Sequence, residues 1–277
     1  MSDNHAPRVL SQRLGWGATV VAATLVFVFL MAPILAIVPL SFSSQTYLTY
    51  PLPGLSLRWY VDLFTSDKWM LSLKNSFIIG IAATVLSMAL GTLAALGLAQ
   101  WNSRWKPLVM AVVLSPMVVP VVIAAVGVYF FFAPLGLTGN YAGLILAHTA
   151  LATPFVVITV SATLQGFDMN LARASASLGA PPLLTFRRVI LPLILPGMAS
   201  GALFAFATSF DEVVTVLFLA GPEQRTLPRE MFAGIRENIS PTITAAAVIL
   251  TTLSVILLAT LEWLRRRSER LRGPASR

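Results

Sequence analysis

Residues 107–167 read PLVMAVVLSPMVVPVVIAAVGVYFFFAPLGLTGNYAGLILAHTALATPFVVITVSATLQGF, and this stretch carries no charged side chain. A helix rises 1.5 Å per residue, so about 20 apolar residues cross the hydrocarbon core of a bilayer. The stretch is therefore too long for one crossing. It divides at residues 135–140, LGLTGN, which is a turn-forming run. It predicts two transmembrane helices, at 107–133 and 141–163.

Four more charge-free stretches are found at residues 14–57, 75–103, 189–210 and 238–261. They predict four more helices, at 16–41, 72–100, 192–220 and 242–264. Hydrophobic residues make up 57% of the chain and charged residues only 11%, whereas a soluble domain carries about 25% charged residues. The sequence thus predicts an all-α integral membrane protein with six transmembrane helices, in which residues 1–277 form a single membrane domain.

The distribution of lysine and arginine predicts the orientation. If the N-terminus is placed inside, 13 of the 19 basic residues fall in inner connections and termini. Short cytoplasmic loops are enriched in these residues, so we expect both termini to be cytoplasmic in a multi-pass membrane protein. The basic tail at 265–277 is then a topology signal and a contact for anionic membrane lipids, rather than a nucleic-acid site.

Two acidic residues, Asp211 and Glu212, lie inside the predicted fifth helix. An acid at the centre of a transmembrane helix costs about 2.5–3.5 kcal/mol on insertion scales, so it normally faces a water-filled cavity or a partner group. Two interpretations stay open. With Phe210 beside them, these acids could form a translocation pathway or gate that attracts cations, or they could bond to a neighbouring helix or subunit.

The predicted inner connection between the fourth and fifth helices, about residues 165–191, has helical signals of its own. Asp168 or Asn170 can cap a short helix, Gly179 can end it in a left-handed conformation, and the prolines at 181 and 182 prevent its continuation. A second short helix then runs to about residue 188. The apolar residues of this connection, Leu171, Leu178 and Phe186, suit docking into a groove of another protein. The alternative is a surface loop that binds nothing.

This connection resembles the cytoplasmic EAA loop of binding-protein-dependent ABC transporter permeases, whose pattern is roughly E-A-A-x-x-L-G-A followed by L-P. The resemblance rests on Leu178-Gly179-Ala180, on the spacing from Phe186 to Leu191-Pro192, and on Pro196-Gly197, and it extends over about residues 70–264. The run Ser209-Phe210-Asp211-Glu212 is similar to the second permease subunits of spermidine/putrescine importers, as are residues 217–221, 226–228 and 240–241.

The resemblance implies the ABC type-1 importer permease fold and an assembly with a second permease subunit, two copies of a cytoplasmic ABC ATPase and an extracytoplasmic solute-binding protein. It implies import of polyamines or, alternatively, of another small solute. It also implies an ATPase-coupling loop formed by Leu171, Arg173, Ala174, Ser175, Leu178, Gly179, Ala180 and Phe186.

The coupling loop departs from the family pattern at two positions. Arg173 stands where the family has glutamate, and Ser175 stands where it has the second alanine. The family's glutamate meets a basic residue of the ATPase, which an arginine cannot do. Either the docking charge is inverted in this chain, or the contact rests on shape and apolar burial.

The chain lacks the residues of an ATPase or a hydrolase. Its lysines are Lys68, Lys74 and Lys106, and none follows a phosphate-binding G-x-x-x-x-G-K-[ST] loop. It has no cysteine and two histidines. We therefore expect no enzymatic activity, no metal and no cofactor in this chain, with ATP and Mg²⁺ used by the partner ATPase. A stand-alone, ion-coupled carrier is the rival interpretation, and it would need no docking loop.

Overall fold

The computed structural model describes residues 10–166, 168–237 and 239–271. These residues form helices and no β-sheet, which confirms the all-α prediction. The α-helices are α1 (Leu10–Leu40), α2 (Arg58–Thr65), α3 (Asp67–Gln100), α4 (Lys106–Leu114), α5 (Val121–Phe132), α6 (Tyr141–Gln165), α7 (Met169–Ser177), α8 (Pro182–Thr185), α9 (Leu191–Phe210), α10 (Val214–Leu219), α11 (Leu227–Glu237) and α12 (Pro241–Leu271).

Within these described ranges, five helical segments are long and apolar enough to cross a bilayer. They are Gly15–Leu40, Asp67–Gln100, Tyr141–Gln165, Pro182–Phe210 and Pro241–Thr260. A sixth crossing is formed if the bent pair Lys106–Met117 and Val121–Leu135 is taken as one span. Helices are expected here because every backbone polar group in hydrocarbon must be paired within its own segment.

Helices α3, α6 and α9 pack together as the centre of the bundle. Small residues allow their backbones to approach closely, as small-xxx-small patterns do in membranes. A Cβ atom added at Gly201 would lie 2.6 Å from Thr159 Oγ1, and one at Gly91 would lie 2.7 Å from Val156 Cβ. A Cβ atom at Gly197 would overlap Thr163 Oγ1. Gly197 and Gly201 of α9 therefore mark a close contact with α6.

The predicted single third helix at 107–133 is wrong, because the segment is sharply broken. Its two halves meet at an angle of 101°. The first half ends in a 3-10 turn at Ser115–Met117, and the second begins after Pro120. The ring of Pro120 and its missing N–H explain the break, since a proline inside a helix removes a hydrogen bond and clashes with the preceding turn.

The predicted continuous fifth helix at 192–220 is also wrong. Helix α9 ends at Phe210, residues 211–213 are not helical, and α10 begins at Val214. Asp211 and Glu212 therefore lie in a break between two helices rather than inside one. Helix α10, which follows the break, packs against α5 and α6.

The first and last helices lie at the edge of the bundle. Helix α1 packs against α12, and none of the apolar window of α1 is buried within the single chain. Helix α12 continues to Leu271, beyond the predicted end at residue 264. Residues 272–277 of the predicted basic tail lie outside the described residues, as do residues 1–9.

We expect Gly197→Ala to lower the stability of the folded protein by about 1–3 kcal/mol, because the added methyl group overlaps Thr163 of α6. Gly127→Ala is the matched control, since its Cβ meets nothing within 4 Å in α5. A glycine-to-alanine change in an unhindered helix interior is neutral or stabilising. Thermal unfolding of both variants in detergent measures the difference, and equal melting temperatures would contradict the close contact.

Candidate functional site

A connector of two short helices, residues 168–190, joins α6 to α9. The Asp168 carboxylate accepts a hydrogen bond from the Asn170 backbone N–H at 2.9 Å and so caps α7. Gly179 has φ of +83°, and the Ala180 N–H donates to the Ser175 carbonyl at 3.2 Å. The predicted cap at Asp168 and the predicted left-handed end at Gly179 are thus both present, and the chain reverses immediately after α7.

The two short helices are held to each other and to the bundle. The hydroxyls of Ser175 and Thr185 share a hydrogen bond of 2.9 Å, and Thr185 is buried. A π-helical turn over Phe186–Ile190 then leads directly into α9. This wider turn suits the start of α9, because Pro192 has no N–H to donate to the preceding turn.

Phe186 differs from the expectation that it would point outward for docking. It is half-buried and packs against the core cluster that includes Leu164 and Ile194. The Phe186 ring, in the turn that precedes α9, therefore anchors the connector to the bundle instead. A mutation of Phe186 would therefore disturb the fold as well as any docking surface.

The outward side of the connector carries large apolar side chains. Leu178 is 88% exposed, Leu183 is 69% exposed and Leu171 is 48% exposed. Of the other predicted coupling residues, Arg173, Ala174 and Gly179 are exposed, and Ala180 is half-buried. Leu183 was not singled out from the sequence, although its place just after two prolines, at the start of α8, could have indicated it.

The two acids of the break have different surroundings. Glu212 Oε1 accepts a hydrogen bond from the Thr215 backbone N–H at 2.8 Å and so caps the start of α10. Asp211 is exposed in the single chain, and it lines a cavity of about 230 Å³ between α9 and α12. The remaining walls of this cavity come from Leu203, Phe204, Ala207, Phe210, Leu250, Leu253, Ser254, Leu257 and Leu258.

Residues just before the break fix the end of α9. Phe210 is buried and stacks on Phe206 and against Phe77 of α3, with ring centroids 5.2 and 5.1 Å apart. His148 Nδ1 and Ser209 Oγ share a buried hydrogen bond of 2.8 Å. This bond joins α6 to the last turn of α9. These contacts hold the last turn of α9 and the backbone that leads into Asp211.

The segment between α10 and α12 is tied to α3 at the other end of the bundle. Asn75 Nδ2 donates to the carbonyls of Glu223 and Arg225, at 2.7 and 2.9 Å. The Leu227 N–H donates to Ser76 Oγ at 2.8 Å. Sequence reasoning missed these bonds, because they join residues about 150 positions apart.

A buried carboxylate completes this end of the bundle. Glu230 of α11 is fully buried and forms ion pairs with Lys68 and, at 3.6 Å, with Arg225. Glu230 was not singled out from the sequence. Within the part of the chain that the structure describes, no group of three or more metal-binding side chains is found.

Comparison with known protein families gives one match. The profile of the family described as "Binding-protein-dependent transport system inner membrane component" matches residues 87–270. This range includes the connector, the break after α9 and most of α12.

Curated relatives are similar over most of the chain. The spermidine/putrescine transport system permease protein PotC of Escherichia coli is 30% identical over 84% of this chain and 88% of its own. The putrescine transport system permease protein PotI of the same organism is 33% identical over 83% of this chain and 84% of its own. The molybdenum transport system permease protein ModB of Mycobacterium bovis is 32% identical over 77% of this chain and 86% of its own.

Solved structures share the fold. A bacterial ABC transporter that imports the acidic polysaccharide alginate matches with a TM-score of 0.71 and 17% identity, over 94% of this chain and 97% of that one. The same kind of transporter, in complex with a periplasmic protein bound to an alginate pentasaccharide, matches with a TM-score of 0.70 and 17% identity, over 95% and 96% of the two chains.

We expect Glu212→Ala to lower the free energy of unfolding by about 0.5–2 kcal/mol, because it removes the side chain that caps α10. Glu212→Gln should stay close to the original protein, since the amide oxygen still accepts from the Thr215 N–H. Asp211→Asn, one residue away, is the matched control and should not change stability. Thermal unfolding in detergent measures all three, and a loss as large for Gln as for Ala would contradict the capping role.

Proposed function

This chain belongs to the family of binding-protein-dependent transport system inner membrane components, and on that premise we propose that it helps to import polyamines or related small cationic amines. The family and the apolar helices make it a multi-pass permease subunit of an ABC importer in the inner membrane. What carries the proposed substrate class is the similarity, over more than 80% of the chain, to PotC and PotI.

The surroundings of Asp211 support a cationic amine. A carboxylate in a cavity walled by leucine and phenylalanine offers one negative charge and a long apolar surface. An alkylammonium ion has the matching form, with a charged end and a methylene chain. The Asp211 carboxylate would attract the ammonium group, while the apolar walls would contact the chain. Asp211 and Phe210 are the proposed pathway or gate, and Glu212 would hold the gate in shape.

The connector is the proposed coupling site for a cytoplasmic ATPase. In this arrangement residues 165–191 form the coupling loop, and Leu171, Leu178 and Leu183 enter a groove of the ATPase. Both termini are then cytoplasmic, with residues 265–277 near anionic lipid and residues 70–264 forming the transport core. ATP and Mg²⁺ are used by the ATPase, of which we propose two copies, one for each permease subunit.

Further partners follow from the exposed surfaces. A second permease subunit would enclose the pathway by covering the side of the chain on which Asp211 is exposed. A solute-binding protein would deliver the substrate to the end of the bundle opposite the connector, at the segment that is hydrogen-bonded to Asn75. The solved complex of the alginate importer with its periplasmic protein supports such a delivery step.

The continuity of one helix suggests how docking could reach the pathway. The helical segment Pro182–Phe210 is 29 residues long, which corresponds to roughly 44 Å. Its first residues belong to the connector, and its last residue precedes Asp211. A displacement of the connector by the ATPase would therefore move the start of the break directly, without an intervening flexible loop.

Another small solute is the second candidate within the same class, because ModB, named for molybdenum transport, is 32% identical to this chain. A stand-alone ion-coupled carrier would leave the exposed leucines of the connector without a role. To separate these possibilities, the permease complex can be reconstituted with its ATPase and binding protein, and uptake of putrescine, spermidine and molybdate measured with and without ATP. ATP-dependent uptake of the amines alone is expected. Uptake of molybdate instead, or uptake without ATP, would contradict the proposal.

We expect Asp211→Asn to raise the KM for putrescine uptake by about tenfold or more, which corresponds to about 1.4 kcal/mol of lost ammonium binding. Asp211→Glu, which keeps the charge, should retain most of the uptake. Transport assays in proteoliposomes measure both variants at equal amounts of assembled complex. An unchanged KM for the asparagine variant would exclude Asp211 from the pathway.

We expect Leu178→Asp to abolish ATP-driven uptake, because a charge would replace an apolar side chain of the connector that is 88% exposed. The side chain points away from the bundle, so the fold should survive, unlike in a Phe186 variant. Leu178→Met keeps the apolar surface and is the control. Full uptake by a correctly assembled Leu178→Asp complex would contradict docking at the connector.

A further inference from the structure

Three of the four charged side chains of the connector are arginines. Arg173, Arg187 and Arg188 are exposed, and none of them forms an ion pair with another described residue. The only acid among residues 165–191 is Asp168, whose carboxylate is engaged in capping α7. The arginines are therefore free to meet charges on a partner.

These arginines accompany an apolar surface. Arg173 lies five residues before Leu178 in the chain, and Arg187 follows Leu183 by four residues. Leu178 and Leu183 are 88% and 69% exposed. An apolar centre with basic neighbours is a common form of protein interface, in which burial supplies affinity and charge selects the partner.

The small side chains of α7 favour a protein partner over the membrane surface. Helices that lie on a membrane present a broad face of large apolar residues. In α7 the residues at positions 172 and 174–177 are all alanine or serine. Such a helix allows another backbone to come close, while its few leucines would bury little surface in lipid.

We propose that the ATPase groove that receives the connector is apolar at its floor and carries carboxylates at its edge, at least one of which pairs with Arg173. This inference rests on the proposed coupling function of the connector and adds the charge of the partner to it. An ATPase with a basic groove would be rejected by like-charge repulsion, so Arg173 contributes to the choice of partner.

The experiment compares Arg173→Glu, Arg173→Gln and Arg173→Lys in the whole transporter. The measured quantities are the amount of ATPase retained on washed membranes across a series of salt concentrations, and ATP-driven uptake. We expect at least a tenfold loss of retention for Glu, a smaller loss for Gln and near-normal retention for Lys. Retention by the original protein should fall with added salt, because exposed ion pairs are screened.

Arg104→Glu is the matched control. Arg104 is exposed in the connection between α3 and α4. It lies at the same end of the bundle as the connector, where residues of α3, α4 and α6 line one cavity. Arg104→Glu makes the same change of charge as Arg173→Glu, and membranes that carry this variant should retain the ATPase normally. An equal loss for Arg104→Glu would mean that general charge, not Arg173, holds the ATPase, and would overturn the inference.

A second arm identifies the opposing charge. Because the chain has no cysteine, Arg173→Cys provides a unique thiol for cross-linking to the ATPase. A carboxylate found beside the cross-link, changed to lysine, should restore retention to Arg173→Glu. A basic residue found there instead would overturn the inference. A defect of Arg173→Glu that disappears in vesicles of phosphatidylcholine, which is zwitterionic and has no net charge, would also overturn the inference. The arginine would then bind anionic lipid headgroups.

The two levels of the proposal fail differently. If Leu178→Asp releases the ATPase but Arg173→Glu does not, the contact is apolar and only the charge inference is wrong. If the original membranes retain no ATPase and show no ATP-driven uptake, the proposed function is wrong.

Discussion

The structure depends on one constraint, which is that a backbone polar group placed in hydrocarbon must find a partner. Long helices satisfy it without help, and most of this chain consists of them. Where a helix is interrupted, the free N–H groups need other acceptors. After α9, the Glu212 carboxylate supplies one for the Thr215 N–H. Glu212, which would be costly inside a continuous transmembrane helix, is therefore part of what allows a new helix to begin at Val214.

The same interruption separates two neighbouring carboxylates. On a continuous helix, Asp211 and Glu212 would point about 100° apart, so both could not line one narrow pathway. In the break, one carboxylate bonds to the backbone and the other opens into a cavity. The buried ring of Phe210 and the pair His148–Ser209 fix the preceding turn. The break thereby gives Glu212 a structural role and leaves Asp211 for the proposed pathway.

Much of this architecture could be predicted from the sequence because it follows from local patterns. The absence of charge located the spans, and the caps at Asp168 and Gly179 located α7. The break in the fifth segment could not be predicted with the same rules, because hydropathy is the same on both sides of it. Likewise, the inward position of Phe186 and the bonds from Asn75 depend on residues far away in the chain. Tertiary packing decided each of these features.

The attachment of the segment after α10 to α3 has a consequence for encounters with other proteins. Asn75 and Ser76 hold the backbone at residues 223–227, and the buried Glu230 fixes the helix that follows. A surface held in this way is preorganised, so the proposed docking of a solute-binding protein would cost little ordering of this segment. Association would then not have to wait for a conformational change of the permease at residues 223–230, which favours a fast on-rate.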